Sequence, residues 1–574
     1  MQDKRQRTMR KKYISRFYKG NSLAYSGVLL STVLISAVNL VDAWLMQQMI
    51  DAVSGVQASF EVGVLTVLTI GVISMILPIK MLHYVAMPRF MRKALTQYKS
   101  FAFQKLTQKN IASFRNEASS VYLSAFSNDL ASIEANYLEK QSRLVFNIVG
   151  VTGAMILMLL YNPVLTFIAI GFFVLPIIAS MITGGHLEKA EKAVSEKNAG
   201  FVASLKDIVN GFSIIKSFRA EDAALDLLGK SSTAVENAKY QKRKISTIIS
   251  TIGAMAGITA QLGTFLIGAV LALSGWGITP GILIVFVDLT AMVINPISEI
   301  PELLVNKKAA VALIDKMILA LESNIRDEGT DIPNHLSNGI SVHHLNFGYE
   351  AGSEILHDID INFEAGKSYA IVGNSGSGKS TLLNLLMASR HDYEGSICFD
   401  STELREISSK SLYELVSMIE QNVFVFDASI RDNITMFRDF SVTEVDRAIE
   451  LSGLSQLIEH HGADYLCGEN GRSLSGGEKQ RISIARSLLQ NSSVLLADEA
   501  TASLDAQTAY QVTSDILKLD GITRIIVTHS LTESLLKQYD SIIVLREGHV
   551  VENGSFESLL EQKGYFYALY TIAQ

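Results

Sequence analysis

Cysteine is nearly absent from these 574 residues; only Cys398 and Cys467 occur, both in the second half. A disulfide scaffold is therefore not expected, and two free thiols in a reducing compartment are. Strong charge of one sign is missing too. A net charge of −7 over the whole length is too dilute to imply a nucleic-acid partner. What is abundant is apolar residues, at 48 % of the chain, and they are unevenly placed. Long apolar runs fill the stretches before Glu302, whereas the remainder alternates like a soluble α/β protein. The length alone calls for at least two domains.

A bilayer core of roughly 30 Å takes about 20 mostly apolar helical residues. Six stretches qualify: Leu23–Ile50, Phe60–Met87, Leu144–Tyr161, Val164–Gly184, Ile245–Trp276 and Ile278–Leu304. A buried soluble helix imitates one such run, but six in succession without strand patterns between them describe a membrane domain. Lysine and arginine are missing from the connections that begin at Asp51, Tyr161 and Ser274. They are frequent in the segments 89–143 and 188–244, which places those segments and both termini in the cytosol. All three outer connections are short, so no sizeable external domain is expected. The basic segment 1–20 reads as a cytosolic membrane flank. The long apolar run after it lacks a small-residue cleavage site, which argues against a removed signal peptide.

Helical periodicity continues from the spans into both long cytosolic segments. The turns near Asn110–Ala118 and Asp207–Lys216 are candidate contact points for a motor, although amphipathic linkers share the pattern. Within the spans stand Asn39, Asp42, Asn147, Gln261, Asp288 and Asn295. Asp288, about mid-span, is the candidate substrate group for a cationic or amphipathic compound, with helix–helix pairing as the alternative. Asp42 is expected at the outer interface, and Lys80 and His83 are expected to snorkel toward the cytosol. The glycines of GAMAG, Gly253–Gly257, fit close helix contact.

After a polar linker at 323–338, ISVHHLNFGY alternates like a strand, and KSYAIVG forms a second strand that runs into GNSGSGKST. This string, Gly373, Asn374, Ser375, Gly376, Ser377, Gly378, Lys379, Ser380 and Thr381, fits the phosphate-loop pattern in its strand–loop–helix setting. Glycines let successive N–H groups face phosphate oxygens, and the next helix offers its positive end. Lys379 is expected on the β- and γ-phosphates and the Ser380 hydroxyl on Mg²⁺. Farther on, SSVLLADEA carries Asp498 to the end of an apolar strand, as a second magnesium-side group. Glu499 follows, where a carboxylate polarises an attacking water.

The string LSGGEKQRISIARSLL, from Leu474, resembles the signature of ATP-binding cassette proteins. That resemblance extends over essentially the whole chain, through CGENG at Cys467–Gly471, SNDLASIE and GFSIIKSFRAED. It implies a multidomain membrane protein: an all-α, six-helix transmembrane domain of exporter fold (21–322) and an α/β phosphate-loop nucleotide-binding domain (339–574). It also implies that Tyr349 stacks on adenine, that Gln421 senses Mg²⁺, and that His529 is the switch histidine. Asp505 would lie at a dimer seam. Leu474, Ser475, Gly476, Gly477 and Glu478 would meet ATP on the opposite subunit. Glu478 replaces the more frequent glutamine, and Asp207 a frequent glutamate. The cofactors implied are ATP and Mg²⁺. The implied partners are a second half-transporter, identical or related, the lipid bilayer, and a small-molecule, lipid or peptide substrate, with no nucleic acid. A bacterial inner membrane is the expected location. No peptidase-like domain is expected ahead of the first span. An exporter of a hydrophobic, amphipathic or peptidic compound is the leading expectation. A siderophore- or haem-importing relative and a lipid flippase are the alternatives.

Overall fold

The computed structural model describes residues 2–56, 59–115, 117, 119–322, 329–350 and 353–573. Residues 323–328 of the linker, Asn116 and Ala118 of the first cytosolic turn, and the side chains at 179–184 of the fourth expected span lie outside that description. The chain forms two compact units. One comprises Met1–Lys105 and Ser120–Glu322, the other Leu106–Ser119 and Ser323–Gln574.

The first unit is all helix. The basic flank forms α1 (Gln2–Tyr18), followed by α2 (Ser22–Val53), α3 (Val62–Thr107), α4 (Lys140–Tyr161), α5 (Pro163–Asn210), α6 (Glu221–Leu273) and α7 (Pro280–Glu322). Among the described residues, five helices are long and apolar enough to cross a membrane, and α5 adds an apolar stretch at Pro163–Leu175. Helices suit this role because each satisfies its own backbone hydrogen bonds in lipid. Sequence chemistry sets their ends. Asn162 caps α5 by accepting from the Leu165 N–H at 2.9 Å, and Pro163 takes the first helical position. Trp276 falls beyond the end of α6, so the fifth span is shorter than periodicity suggested.

Ala154, Met158, Leu165, Phe173, Phe286 and Leu289 belong to the core where these helices pack. Gly257 sits where an added Cβ would lie 3.2 Å from Ile294, so it permits close approach of α6 and α7. Gly253 has open space around it, so only one glycine of that pair is a packing residue. The buried Asp51 carboxylate accepts from Thr279 Oγ1 and Gly281 N, both at 2.8 Å, and so ties the end of α2 to the start of α7. At the other end, Arg10 of α1 makes a two-pronged pair with Asp315 of α7. Phe17 stacks on Tyr98 with ring centroids 4.3 Å apart. His83 Nδ1 lies 3.1 Å from Ser31 Oγ on α2.

Among the described residues the second unit has ten strands: β1 (Gly339–Glu350), β2 (Ser353–Glu364), β3 (Ser368–Gly373), β4 (Glu394–Phe399), β5 (Thr402–Glu403), β6 (Val416–Ile419), β7 (Val494–Asp498), β8 (Thr523–Val527), β9 (Ser541–Arg546) and β10 (His549–Gly554). An antiparallel sheet runs β2-β1-β4-β5, and a six-stranded sheet runs β10-β9-β3-β8-β7-β6. In the latter, β9, β3, β8, β7 and β6 are mutually parallel. Sequence reading passed over β2, which separates β1 from β3. Its inward residues Leu356, Ile359, Ile361 and Phe363 are interrupted by acids on the outer face, which weakens the apolar run. The central strands read as unbroken apolar runs because both faces are covered; β7 and β8 are buried at every residue. Parallel strands deliver their carboxyl ends to one edge, and the candidate site assembles there.

Leu106–Ser119 belongs to this unit although it connects helices of the other. Within the unit, the Ile111 N–H donates to the Tyr413 hydroxyl at 3.2 Å.

Candidate nucleotide site

Strand β3 ends at Gly373, and a glycine-rich turn leads into α8 (Lys379–Leu386). The turn needs its glycines. Gly376 and Gly378 have φ of +81° and +98° in the left-handed region. A Cβ on Gly378 would lie 2.6 Å from Leu356, while Gly376 faces open space. Asn374 and Ser375 are exposed at the loop's crest, and Thr381 is buried in α8. The buried Lys379 turns its amine onto the carbonyls of Gly373 (2.9 Å) and Asn374 (2.8 Å). Buried Ser377 Oγ has no hydrogen-bond partner among the described residues.

Strand β7 delivers Asp498, which accepts from Ser380 Oγ at 2.9 Å. Burial raises the Asp498 carboxyl above the usual carboxylate range, against the Ser380 hydrogen bond. Burial also lowers the Lys379 ammonium below the usual lysine range, partly offset by Glu499 and Asp498. Each charge is thus short of solvation. A polyphosphate beside Lys379 and a cation beside Asp498 would supply what burial has removed. The residues therefore fit a magnesium nucleotide, with glycine cradle, lysine and unpartnered hydroxyl on the anion side, and Ser380 and Asp498 on the cation side.

Glu499 follows β7 in a left-handed conformation, φ +51°, with its N–H donating to Val527 O of β8 at 3.1 Å. Its carboxylate is gripped from both sides. Gln421 Nε2 donates to one oxygen at 2.9 Å, and His529 Nε2 lies 2.8 Å from the other. Gln421 comes from the loop after β6 and His529 from the loop after β8, so neighbouring parallel strands present all three groups. Gln421 and His529 thus meet at the Glu499 carboxylate.

Ser475 caps helix α9 (Gly476–Gln490), which Gly476 and Gly477 begin. The Glu478 N–H donates to Ser475 Oγ at 3.3 Å, and Glu478 returns its carboxylate to the Ser475 N–H at 2.7 Å. This capping box explains why glutamate is accepted in place of glutamine. Leu474 is buried. Among the described residues, no hydrogen bond or ion pair joins Leu474–Glu478 to Gly373–Thr381. Asp505 caps helix α10 (Ala506–Leu517) by accepting from Thr508 N at 3.0 Å, and that bond lowers its carboxyl below the usual range. Tyr349 is half exposed near the end of β1, edge-on to Phe347 with centroids 5.1 Å apart. Asp288 belongs to the other unit; it is exposed on α7 and interacts electrostatically with Asp42 of α2.

Residues 356–502 match the family described as ABC transporter, and residues 26–297 match the ABC transporter transmembrane region. The chain belongs to the ABC transporter family. Among its relatives is the uncharacterized ABC transporter ATP-binding protein YfiC of Bacillus subtilis (strain 168), 27 % identical over 82 % of this chain and 79 % of that one. The ATP-dependent lipid A-core flippase of Desulfotalea psychrophila (strain LSv54 / DSM 12343) is 27 % identical over 94 % of this chain and 95 % of that one. A solved bacterial Atm1-family ABC exporter with ATP bound superposes with a TM-score of 0.84 at 23 % identity, covering 96 % and 98 % of the two chains, which establishes the exporter fold. The protein is thus an integral membrane, ATP-hydrolysing ABC transporter with one transmembrane region and one ATP-binding region in its chain.

Sequence reasoning missed two supports of this ABC site. Gln480, 2 % exposed, donates from Nε2 to the Glu499 carbonyl at 2.9 Å and accepts from Ser503 N at 3.0 Å. It rivets the signature helix to the turn that carries Glu499. Arg486 holds the loop after β6, donating to Phe424 O and to Asn433 Oδ1, each at 2.7 Å. Both lie inside LSGGEKQRISIARSLL, and their position on the inner face of a capped helix was the available signal.

Proposed function

We propose that the chain is one subunit of a dimeric, ATP-driven exporter that moves an amphipathic, lipid-like compound out of the cytosolic leaflet. The observation that carries the motor reading is Glu499, held by Gln421 and His529 beside the Ser380–Asp498 pair. In this reading Glu499 accepts the proton of the attacking water, and His529 and Gln421 fix its direction. Gly373–Thr381 wrap the phosphates, with Lys379 moving from its loop carbonyls to phosphate oxygens. Ser380 and Asp498, with Gln421 alongside, would hold Mg²⁺, which neutralises phosphate charge when bound. Tyr349, exposed on its strand, supplies a stacking surface for adenine.

The signature turn, Leu474–Glu478, with Asp505 nearby, serves the nucleotide of the second subunit. The first-turn N–H groups of α9 lack intrahelical partners and suit an anion. Every catalytic position is present, which favours two identical chains over a related pair. Residues 1–20 and 339–574 lie in the cytosol, the apolar spans of 21–322 cross a bacterial inner membrane with segments 89–143 and 188–244 extending into the cytosol, and 323–338 links the two domains. ATP binds the closed motor pair better and so biases the membrane helices toward their outward-facing arrangement. The turn at Leu106–Ser119, which belongs to the ATPase unit and continues into membrane helices, supports this coupling. The second turn exposes Phe212, Ile214 and Phe218, a surface suited to docking on the other subunit's motor.

The lipid-like substrate is favoured by several relatives named as lipid A-core flippases. The test is proteoliposomes with labelled lipids, cationic dyes and peptides. ATP-dependent movement of lipid from the ATPase-side leaflet supports the reading. Movement of dyes or peptides alone, or transport in the reverse direction, refutes it.

A further inference from the structure

The antiparallel sheet carries a second group of chemistry-bearing side chains that ATP hydrolysis does not use. Consecutive strand residues normally point to opposite faces. At His343 and His344 this rule is broken. The register of β1 against β2 slips between Val342 and Leu345, and His344 has φ +48°. Both imidazoles are exposed, and both reach one carboxylate of β2. His343 Nδ1 lies 3.5 Å from Asp360 Oδ1, and His344 Nδ1 lies 3.5 Å from Asp360 Oδ2. Asp358, two residues earlier on β2, places Oδ1 2.8 Å from His344 Nδ1.

Ligand atoms of His344, Asp358 and Asp360 all fall within 4.8 Å of one another. A tetrahedral Zn²⁺ with nitrogen and oxygen ligands at about 2.0–2.1 Å separates its ligand atoms by about 3.3–3.4 Å. His344 Nδ1 stands 2.8 Å from Asp358 Oδ1 and 3.5 Å from Asp360 Oδ2, on either side of that spacing, and His343 Nδ1 stands 3.5 Å from the other Asp360 oxygen. Ion binding at His344, Asp358 and Asp360 therefore requires side-chain adjustment on the order of an ångström, at exposed residues, with His343 beside Asp360 as the fourth group. Two imidazoles with two carboxylates suit zinc or a neighbouring transition metal. Ca²⁺ and Mg²⁺ are served by oxygen-only shells and gain little from such a set.

The geometry points to a divalent transition-metal site, Zn²⁺ in particular, formed by His343, His344, Asp358 and Asp360, that clasps β1 to β2. It stands independently of the transported substrate. A bound ion would pin the strand whose far end carries Tyr349.

The test uses the full-length protein in nanodiscs, stripped with chelator and free of any polyhistidine tag. Co²⁺ is titrated while its visible tetrahedral absorption is followed, and Zn²⁺ is then added in competition. The expected result is one Co²⁺ per chain, displaced by Zn²⁺. His344→Gln and Asp360→Asn should each weaken binding more than about tenfold. Retained ATPase activity in both variants certifies that they are folded. Absence of a stoichiometric tetrahedral spectrum in the unsubstituted protein would overturn the proposal. So would binding that survives both substitutions.

Discussion

Replacing Gln480 by leucine tests whether the signature helix positions the Glu499 carboxylate mechanically. Leucine keeps much of the side-chain volume but removes the amide that joins Glu499 O and Ser503 N. Each lost neutral hydrogen bond is worth about 0.5–1.5 kcal/mol net, so the pair contributes about 1–3 kcal/mol to this turn. Glu499 also holds a left-handed backbone, a conformation costing about 1–2 kcal/mol for a non-glycine residue. With the rivet gone, that strain is free to relax. A shift of about 2 kcal/mol toward a relaxed turn lowers the competent population by about thirtyfold. The prediction is a kcat for ATP about ten- to thirtyfold lower, with the KM for ATP within about twofold, because Lys379 and the glycine loop are untouched. Gln480→Glu, which still accepts from Ser503 N but cannot donate to Glu499 O, should fall between. Steady-state ATPase assays in nanodiscs, with a thermal melt to confirm folding, give the readout. Undiminished kcat in Gln480→Leu, or a loss expressed wholly in KM, would show that the turn does not depend on Gln480.

Glu499→Gln should lower hydrolysis by about 10²–10⁴-fold and accumulate ATP-bound dimers on size-exclusion chromatography; near-normal turnover would remove it from the role of base. Asp288→Asn should change the relative stimulation of the ATPase by cationic and neutral amphiphiles, whereas an unchanged profile would assign Asp288 to helix packing. Asp51→Ala strands the Gly281 N–H and the Thr279 hydroxyl at the start of α7, a loss of about 2–4 kcal/mol. It should appear as an earlier unfolding step of the membrane unit in detergent, and an unshifted transition would show that water replaces the carboxylate.

Much of the nucleotide site was legible because its chemistry is local in sequence. The loop Gly373–Thr381 needs its glycines for backbone reasons that no neighbour can supply, and an apolar strand such as Val494–Asp498 shows itself through unbroken burial. The membrane spans were legible for the same reason, since lipid demands continuous apolar helix. Less visible was anything decided by long-range pairing. Strand β2 escaped because its outer face is acidic, and a half-exposed strand with charged alternation resembles a loop. Gln480 looked like one polar letter in a recognised string; only the fold brings its amide to two backbone groups about 20 residues away. The partner of His83 was equally hidden, since only the packing of α2 on α3 brings Ser31 Oγ to its ring.

The capping box on α9 bears directly on why a second subunit is needed. Ser475 Oγ accepts from Glu478 N, and Glu478 accepts from Ser475 N, so part of the helix start is already satisfied within the chain. The remaining first-turn N–H groups have no intrahelical acceptor. Their own phosphate loop does not engage them, since no hydrogen bond joins the two segments among the described residues. A donor surface presented on a rigid, capped helix and left unused by its own chain is suited to an anion brought by another molecule. In the proposed dimer that anion is the γ-phosphate held by the other subunit's Lys379. Gln480 then links the same helix to Glu499, so closure on one nucleotide and alignment of the base for the other are transmitted through a single side chain. On this view Gln480→Leu should weaken the coupling between the two ATP sites as well as kcat, and the Hill coefficient for ATP measures it.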